Sequence, residues 1–132
     1  MLGADTNILV RAFMEDEPNQ AKSAQEFLES AAQKHRLFIS SYAILEFVWV
    51  LKTKKFSRSE IYEAIITLTD SPGVVIGQRE VVLGALERYL KGKADFGDYI
   101  ILVEGEKYGC HHLKTFDQVV IDEMSQASLP KE

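Results

Sequence analysis

The stretch ADFGDYIILVEGEKYGCHHLKTFD, residues 94–117, carries the pattern on which the rest of the chain is built. It opens with Asp95 and Asp98, three residues apart, and runs into apolar Tyr99-Ile100-Ile101-Leu102-Val103. Gly109 breaks that run, Leu113-Lys114-Thr115-Phe116 is strand-like, and Asp117 closes the stretch. The order predicts a helix opening with acids, a turn, and a strand ending in an acid. A spacing of three puts Asp95 and Asp98 on one face of the helix. Its first turn sets them against the positive end of the peptide dipoles, which favours the charged forms. The residues that would neighbour Asp98 one turn on are Ile101 and Leu102, so no Lys or Arg of the helix answers it. A carboxylate buried without a partner is costly; a cation from elsewhere must meet Asp98, or it stays in water.

A second acid stands in the same position. Residues 42–55 form a helix that is apolar on nearly every side, through Tyr42, Ala43, Ile44, Leu45, Phe47, Val48, Trp49, Val50 and Leu51, and so reads as a buried helix. Glu46 interrupts it, with Tyr42, Ala43, Trp49 and Val50 as its helical neighbours and no base among them.

Around these two helices, short strands alternate with helices. Leu2-Gly3-Ala4 predicts a brief strand leading to Asp5, Thr6 and Asn7, good helix-capping types, and then to apolar Ile8, Leu9, Val10, Ala12 and Phe13. Pro18 suits a helix start, and Ala21, Ala24, Phe27, Leu28 and Ala31 recur at helical spacing over 18–34. Leu37-Phe38-Ile39 predicts a strand, with Ser40 or Ser41 capping the apolar helix. Ser57 and Glu60 have the spacing of a capping box. After the Ser71-Pro72-Gly73 turn, Val74-Val75-Ile76 predicts a strand, and 79–90 an amphipathic helix. A last helix is predicted over 119–124, followed by a polar, frayed tail over 125–132. Alternation of this kind predicts an α/β fold with a parallel sheet between helices. Sites in such sheets collect at the carboxyl ends of the strands. There Asp5 and Asp117 follow strands, Asp98 and Glu46 lie near helix starts, and all four can meet at one edge.

Composition narrows the field. A chain of 132 residues fits one domain, with 46% hydrophobic and 27% charged residues as in ordinary globular proteins. The formal charge is −5 and the pI about 5.2, so binding nucleic acid through charge overall is excluded; such a role needs local Lys and Arg or a metal. A single cysteine, Cys110, excludes an internal disulfide and suits a reducing cytoplasm. No apolar run reaches membrane-spanning length, and the first residues lack the pattern of a signal peptide.

Converging carboxylates repel one another unless a cation lies between them. Magnesium takes oxygen ligands, is typically held by one or two carboxylates plus phosphate oxygens, and assists phosphodiester hydrolysis. Zinc is disfavoured, because Cys110-His111-His112 are adjacent and lack its usual ligand spacing. Plainer roles compete. Asp5, Asp95 and Asp117 suit helix caps, and Glu46 can pair with a distant Arg11 or Arg79. Lys52, Lys54, Lys55 and Arg58 form a solvated face or touch a phosphate backbone. Trp49 and Phe47 read as core or as part of a partner-binding groove, and the histidines as surface or turn residues.

Four motifs in this order resemble the PIN-domain ribonucleases, and within them the VapC-type toxins of toxin–antitoxin pairs. They are Asp5-Thr6-Asn7-Ile8-Leu9-Val10-Arg11, Ile44-Leu45-Glu46-Phe47-Val48-Trp49-Val50-Leu51, Asp95-Phe96-Gly97-Asp98 and Thr115-Phe116-Asp117. The resemblance implies a three-layer α/β/α sandwich with a short-stranded parallel central sheet. It implies that Asp5, Glu46 and Asp98 are the metal-binding acids, that Asp117 is the fourth, and that Asp95, Thr6, Asn7 and Thr115 support them. Mg²⁺- or Mn²⁺-dependent endoribonuclease activity follows from it, with RNA as substrate, a VapB-type antitoxin as inhibitor and a homodimer as the usual assembly. Many such proteins end in a further strand, and 125–132 is a poor candidate for one. A phosphatase with a strand-end nucleophile would want an acid two residues after Asp5, where Asn7 stands. A PIN-like binding module without catalysis would not need acids at all four positions.

Overall fold

A computed structural model describes residues 1–131. The chain divides into two compact units, Met1–Arg79 and Glu80–Glu132. The first contains β1 (Leu2–Gly3), α1 (Thr6–Met14), α2 (Pro18–Lys34), β2 (Leu37–Ile39), α3 (Ser41–Thr53), α4 (Arg58–Thr69) and β3 (Val74–Ile76). Helix α5 (Arg79–Lys91) begins at the boundary, and α6 (Phe96–Lys107), β4 (Leu113–Lys114), α7 (Gln118–Glu123) and β5 (Ala127–Ser128) complete the second. The class is α/β, as the alternation predicts, with seven helices among the described residues.

In the first unit the strands pair in the order β1-β2-β3, all parallel. Leu2 lies beside Leu37 and Leu37 beside Val74, while Ile39 meets Ile76. Parallel pairing brings the three carboxyl ends to one edge, where Ala4-Asp5, Ser40 and Gly77 follow them. Alternation along β2 buries Leu37 and Ile39 and leaves Phe38 outward. They join Ala21, Ala24 and Ala31 of α2, Ile44, Val48 and Leu51 of α3, and Ile61 and Ile65 of α4 in the buried set. Each fully buried Ile or Leu contributes about 1.5–3 kcal/mol, so this core, not the two- and three-residue strands, holds the unit together. Ring contacts add to it: Phe13 meets Phe47 and Phe56 edge-on, with centroids 5.8 and 5.5 Å apart.

Helix α3 departs from the fully buried helix that its composition predicts. One face, Ala43, Ile44, Phe47, Val48 and Leu51, is buried, but Tyr42 and Trp49 on the other are each 65% exposed. Phe47 is therefore core and Trp49 is not. Helix α1 packs on the Phe47 side of α3, through Phe13, and apolar residues all round a helix do not disclose which side its neighbours take.

The second unit packs around Val82, Leu86 and Tyr89 of α5, Phe96 and Tyr99 of α6, and Val120 of α7, all buried, with Tyr89 and Phe96 edge-on at 5.9 Å. The buried Tyr99 hydroxyl accepts from the Ala94 amide at 3.2 Å and donates to Glu123, whose other oxygen accepts from the Lys93 amide at 2.6 Å. This fixes the α5–α6 connection, and so the start of α6, against α7.

The tail corrects a second expectation. Polarity predicts fraying over 125–132, but Ala127–Ser128 pair in parallel with Leu113–Lys114 as a two-stranded sheet of their own, and Ala127 is buried. The Leu113 amide donates to Gln126 and the Thr115 amide to Ser128. Backbone hydrogen bonding and one small buried side chain hold a segment whose polarity gives no strand signal. Glu132, the last residue of that tail, lies outside the described residues.

Candidate active site

Asp5 follows β1 and is the N-cap of α1, where its Oδ1 accepts from the amides of Asn7 at 3.1 Å and Ile8 at 3.3 Å. Both bonds fall on one oxygen, and Oδ2 makes none among the described residues. The next residue, Thr6, donates its hydroxyl to Glu46 Oε1 at 2.6 Å, joining α1 to α3. Glu46 is half-buried and its Oε2 likewise makes no hydrogen bond among the described residues. Neither arginine weighed as its partner takes that role. Arg11 lies 3.7 Å from Asp16, and Arg79 bonds the Thr69 carbonyl at 2.8 Å and lies 3.6 Å from Asp70. The first unit thus ties Glu46 to Thr6, which follows Asp5 in the chain. Asn7, exposed in the first turn of α1, donates only its backbone amide to this arrangement.

In the second unit, Asp95 is the N-cap of α6 and Asp98 stands at its third position, with the Asp95 amide donating to Asp98 Oδ2 at 3.1 Å. Asp98 is half-buried and Asp95 exposed. Asp117 caps α7: its Oδ1 accepts from the amides of Val119 at 2.9 Å and Val120 at 3.3 Å, and the Thr115 hydroxyl accepts from the Asp117 amide at 3.0 Å. As at Asp5, the capping bonds use one carboxylate oxygen and leave Oδ2 without one among the described residues. The capping roles that competed with a functional reading of Asp5 and Asp117 are therefore real, and they do not consume the donors that a cation needs.

The donor set suits a hard divalent cation. Asp5, Glu46 and Asp117 each keep one carboxylate oxygen outside the fold's own hydrogen bonds, and oxygen-only ligands favour Mg²⁺ or Mn²⁺. Within either unit, no three or more His, Cys, Asp and Glu side chains among the described residues are grouped to hold a metal ion. An all-protein cage of the zinc or calcium kind is thus not built there, whereas magnesium commonly keeps several waters and few protein ligands. Cys110, His111 and His112 are exposed and form no such group.

The model of the PIN domain family matches residues 4–125, from just before Asp5 to just after α7. The chain belongs to the PIN-domain family. None of the curated proteins matches it. PIN domains are generally nucleases and typically use divalent metals, which is the chemistry that the acids of this PIN domain suit. No helix among the described residues is long and apolar enough to cross a membrane. Reading by residue type missed two features of this PIN domain. The Thr6–Glu46 bond links residues 40 apart and leaves no local trace, and the exposure of Tyr42 and Trp49 is hidden by the uniform apolarity of α3. A faint signal did exist for the second: Tyr42, Glu46 and Trp49 share one helical face, and an acid is rarely central to a buried one.

Proposed function

We propose that this PIN domain is a toxin-type endoribonuclease of the VapC kind, in which Asp5, Glu46, Asp98 and Asp117 converge to bind Mg²⁺ or Mn²⁺ and position an RNA phosphodiester for hydrolysis. The observation that carries the reading is the Thr6–Glu46 hydrogen bond. It ties the one acid of α3 to Thr6, the residue that follows Asp5, and α/β sheets place their sites at the strand-end edge that Asp5 occupies. A bound divalent cation would supply charge stabilisation at the phosphate and lower the pKa of a coordinated water. The chain's own part is to hold and aim. Thr6 fixes the rotamer of Glu46. The backbone amides of α1 and α7 pin one oxygen of Asp5 and of Asp117, so each second oxygen points in a set direction. The Asp95 amide does the same for Asp98. Asp95, Asn7 and Thr115 support these four. The reading further includes a homodimer, a cytoplasmic location, and inhibition by a cognate VapB-type antitoxin.

The test is cleavage of single-stranded RNA by the purified protein with Mg²⁺ or Mn²⁺, against a chelator control. Asp5→Asn and Asp98→Asn should each lower the rate by more than about a hundredfold, since even the outer partners of metal-ligating side chains are worth about 10- to 100-fold. Full magnesium-dependent activity in both variants would refute the assignment.

A further inference from the structure

The exposed face of α3 carries more than Glu46. Tyr42, Glu46 and Trp49 are spaced by four and three residues, so they lie side by side, with neighbouring Cβ atoms roughly 5–6 Å apart. The two rings are each 65% exposed, and half-buried Glu46, bonded to Thr6 of α1, comes between them in the order of the helix. Single exposed apolar residues need no explanation. Two aromatic rings bracketing a candidate metal-binding acid do, because Trp is highly buried on average. Beyond Trp49 the same helix carries Lys52, Lys54 caps its end, Lys55 follows and Arg58 opens α4, a run of bases in a chain of formal charge −5. Lys54 and Lys55 are exposed, and Lys55 takes a left-handed turn with φ +69°.

From this the geometry points to a binding platform for single-stranded RNA on α3: bases stack on Tyr42 and Trp49, the basic cluster neutralises the phosphates that follow, and the linkage between the two stacked nucleotides lies over Glu46. Every base has a face for stacking, and aromatic platforms beside basic grooves are how single strands are held without sequence readout. The charges favour RNA over a protein partner, because lysine is depleted and charge excluded at the centre of protein interfaces, and here an acid lies between the rings and lysines close the patch. The inference rests on the nuclease reading above and adds to it which residues hold the substrate on either side of the reacting phosphate.

Trp49 is the chain's only tryptophan, so its fluorescence reports this face alone. Titration of the metal-free protein, in chelator, with a single-stranded RNA oligonucleotide should quench that emission saturably; a hairpin duplex of equal length should quench it far less. Trp49→Ala should weaken oligonucleotide binding about tenfold and raise KM in the cleavage assay, whereas Trp49→Phe, which keeps a ring, should restore most of both. Replacing Lys54 and Lys55 by Ala should flatten the salt dependence of binding, by about 0.7 in the logarithmic slope for each phosphate no longer neutralised. Cleavage of RNA by the wild type without quenching, and with KM unchanged in Trp49→Ala, would overturn the platform and leave the nuclease reading standing. Absence of both cleavage and quenching would overturn the two together. A dimer that becomes a monomer in Trp49→Ala, again without quenching, would assign the face to a second copy of the chain and likewise overturn the proposal.

Discussion

Thr6 makes the most informative single contact. Its hydroxyl lies on the first turn of α1, and its partner Glu46 lies on α3, so the bond holds only when the two helices are packed. Hydrogen bonds to charged groups are worth about 1.5–3 kcal/mol where both groups are shielded from water; Glu46 is only half-buried, and the effect on folding is correspondingly smaller. The effect on activity should be larger. Without the hydroxyl, Glu46 is free to turn on its long side chain, and positioning of a reacting group is sensitive to displacements of about an ångström. Thr6→Ala should therefore lower kcat about 10- to 100-fold with a melting temperature close to that of the wild type, and Thr6→Ser, which keeps the oxygen, should recover most of the rate. Steady-state kinetics beside a thermal melt checks this. An equal loss in Thr6→Ser would mean that the methyl group, and thus packing, is what matters at this position.

At the scale of elements, the connections carry the stringent requirements, and they were also the most legible part of the chain. Ser57-x-x-Glu60 declared the start of α4, and the Ser57 hydroxyl accepts from the Glu60 amide at 3.1 Å while the Ser57 amide donates to Glu60 at 2.8 Å. Ser57→Ala should cost about 1 kcal/mol in chemical denaturation. Gly73 and Gly109 both have positive φ, +82° and +93°, yet they differ sharply in surroundings. A Cβ at Gly73 would lie 2.2 Å from the backbone oxygen of Ala32, where α2 passes the start of β3, whereas one at Gly109 would meet nothing within 4 Å. Gly109→Ala should thus cost only the left-handed backbone, about 1–2 kcal/mol, and Gly73→Ala should exceed it by about 1–3 kcal/mol because backbone must shift. Equal losses in denaturant titrations would contradict the close approach of α2 and β3. Caps and turns were readable because their chemistry is local. What sequence could not give was orientation and pairing over distance. Tyr42 and Trp49 look like core by residue type, yet both are exposed. Ala127 and Ser128 form a strand solely because Leu113 and Lys114 offer them an edge. The acids were legible as acids, because Glu46 breaks an apolar helix, but nothing in their spacing revealed that Thr6 is what holds Glu46.

For the whole molecule the decisive quantity is the response to a divalent cation, because the proposed function assigns Asp5, Glu46, Asp98 and Asp117 alike to holding one. A ligand that binds only the native state stabilises it by RT ln(1 + [L]/Kd), about 1.4 kcal/mol at tenfold excess over Kd. For a chain of this length that is a rise of about 3–8 °C in melting temperature. A net charge of −5 complicates the reading, since any salt relieves self-repulsion in an acidic protein. The two effects separate cleanly. Screening depends on ionic strength and is matched by NaCl, whereas site binding saturates with Mg²⁺ or Mn²⁺ at fixed ionic strength and is reversed by chelator. Only the saturable part bears on the four acids. Asp5→Asn, Glu46→Gln, Asp98→Asn and Asp117→Asn each remove one carboxylate charge, and each should abolish or strongly weaken the saturable rise while leaving the salt-matched rise in place. If only some of these variants did so, the cation would belong to those acids alone and the role of all four carboxylates would be wrong. If melting were the same in millimolar Mg²⁺ as in NaCl of equal ionic strength, the native chain would hold no such ion at these concentrations, and its carboxylates would be left with the capping roles that Asp5 and Asp117 already fill.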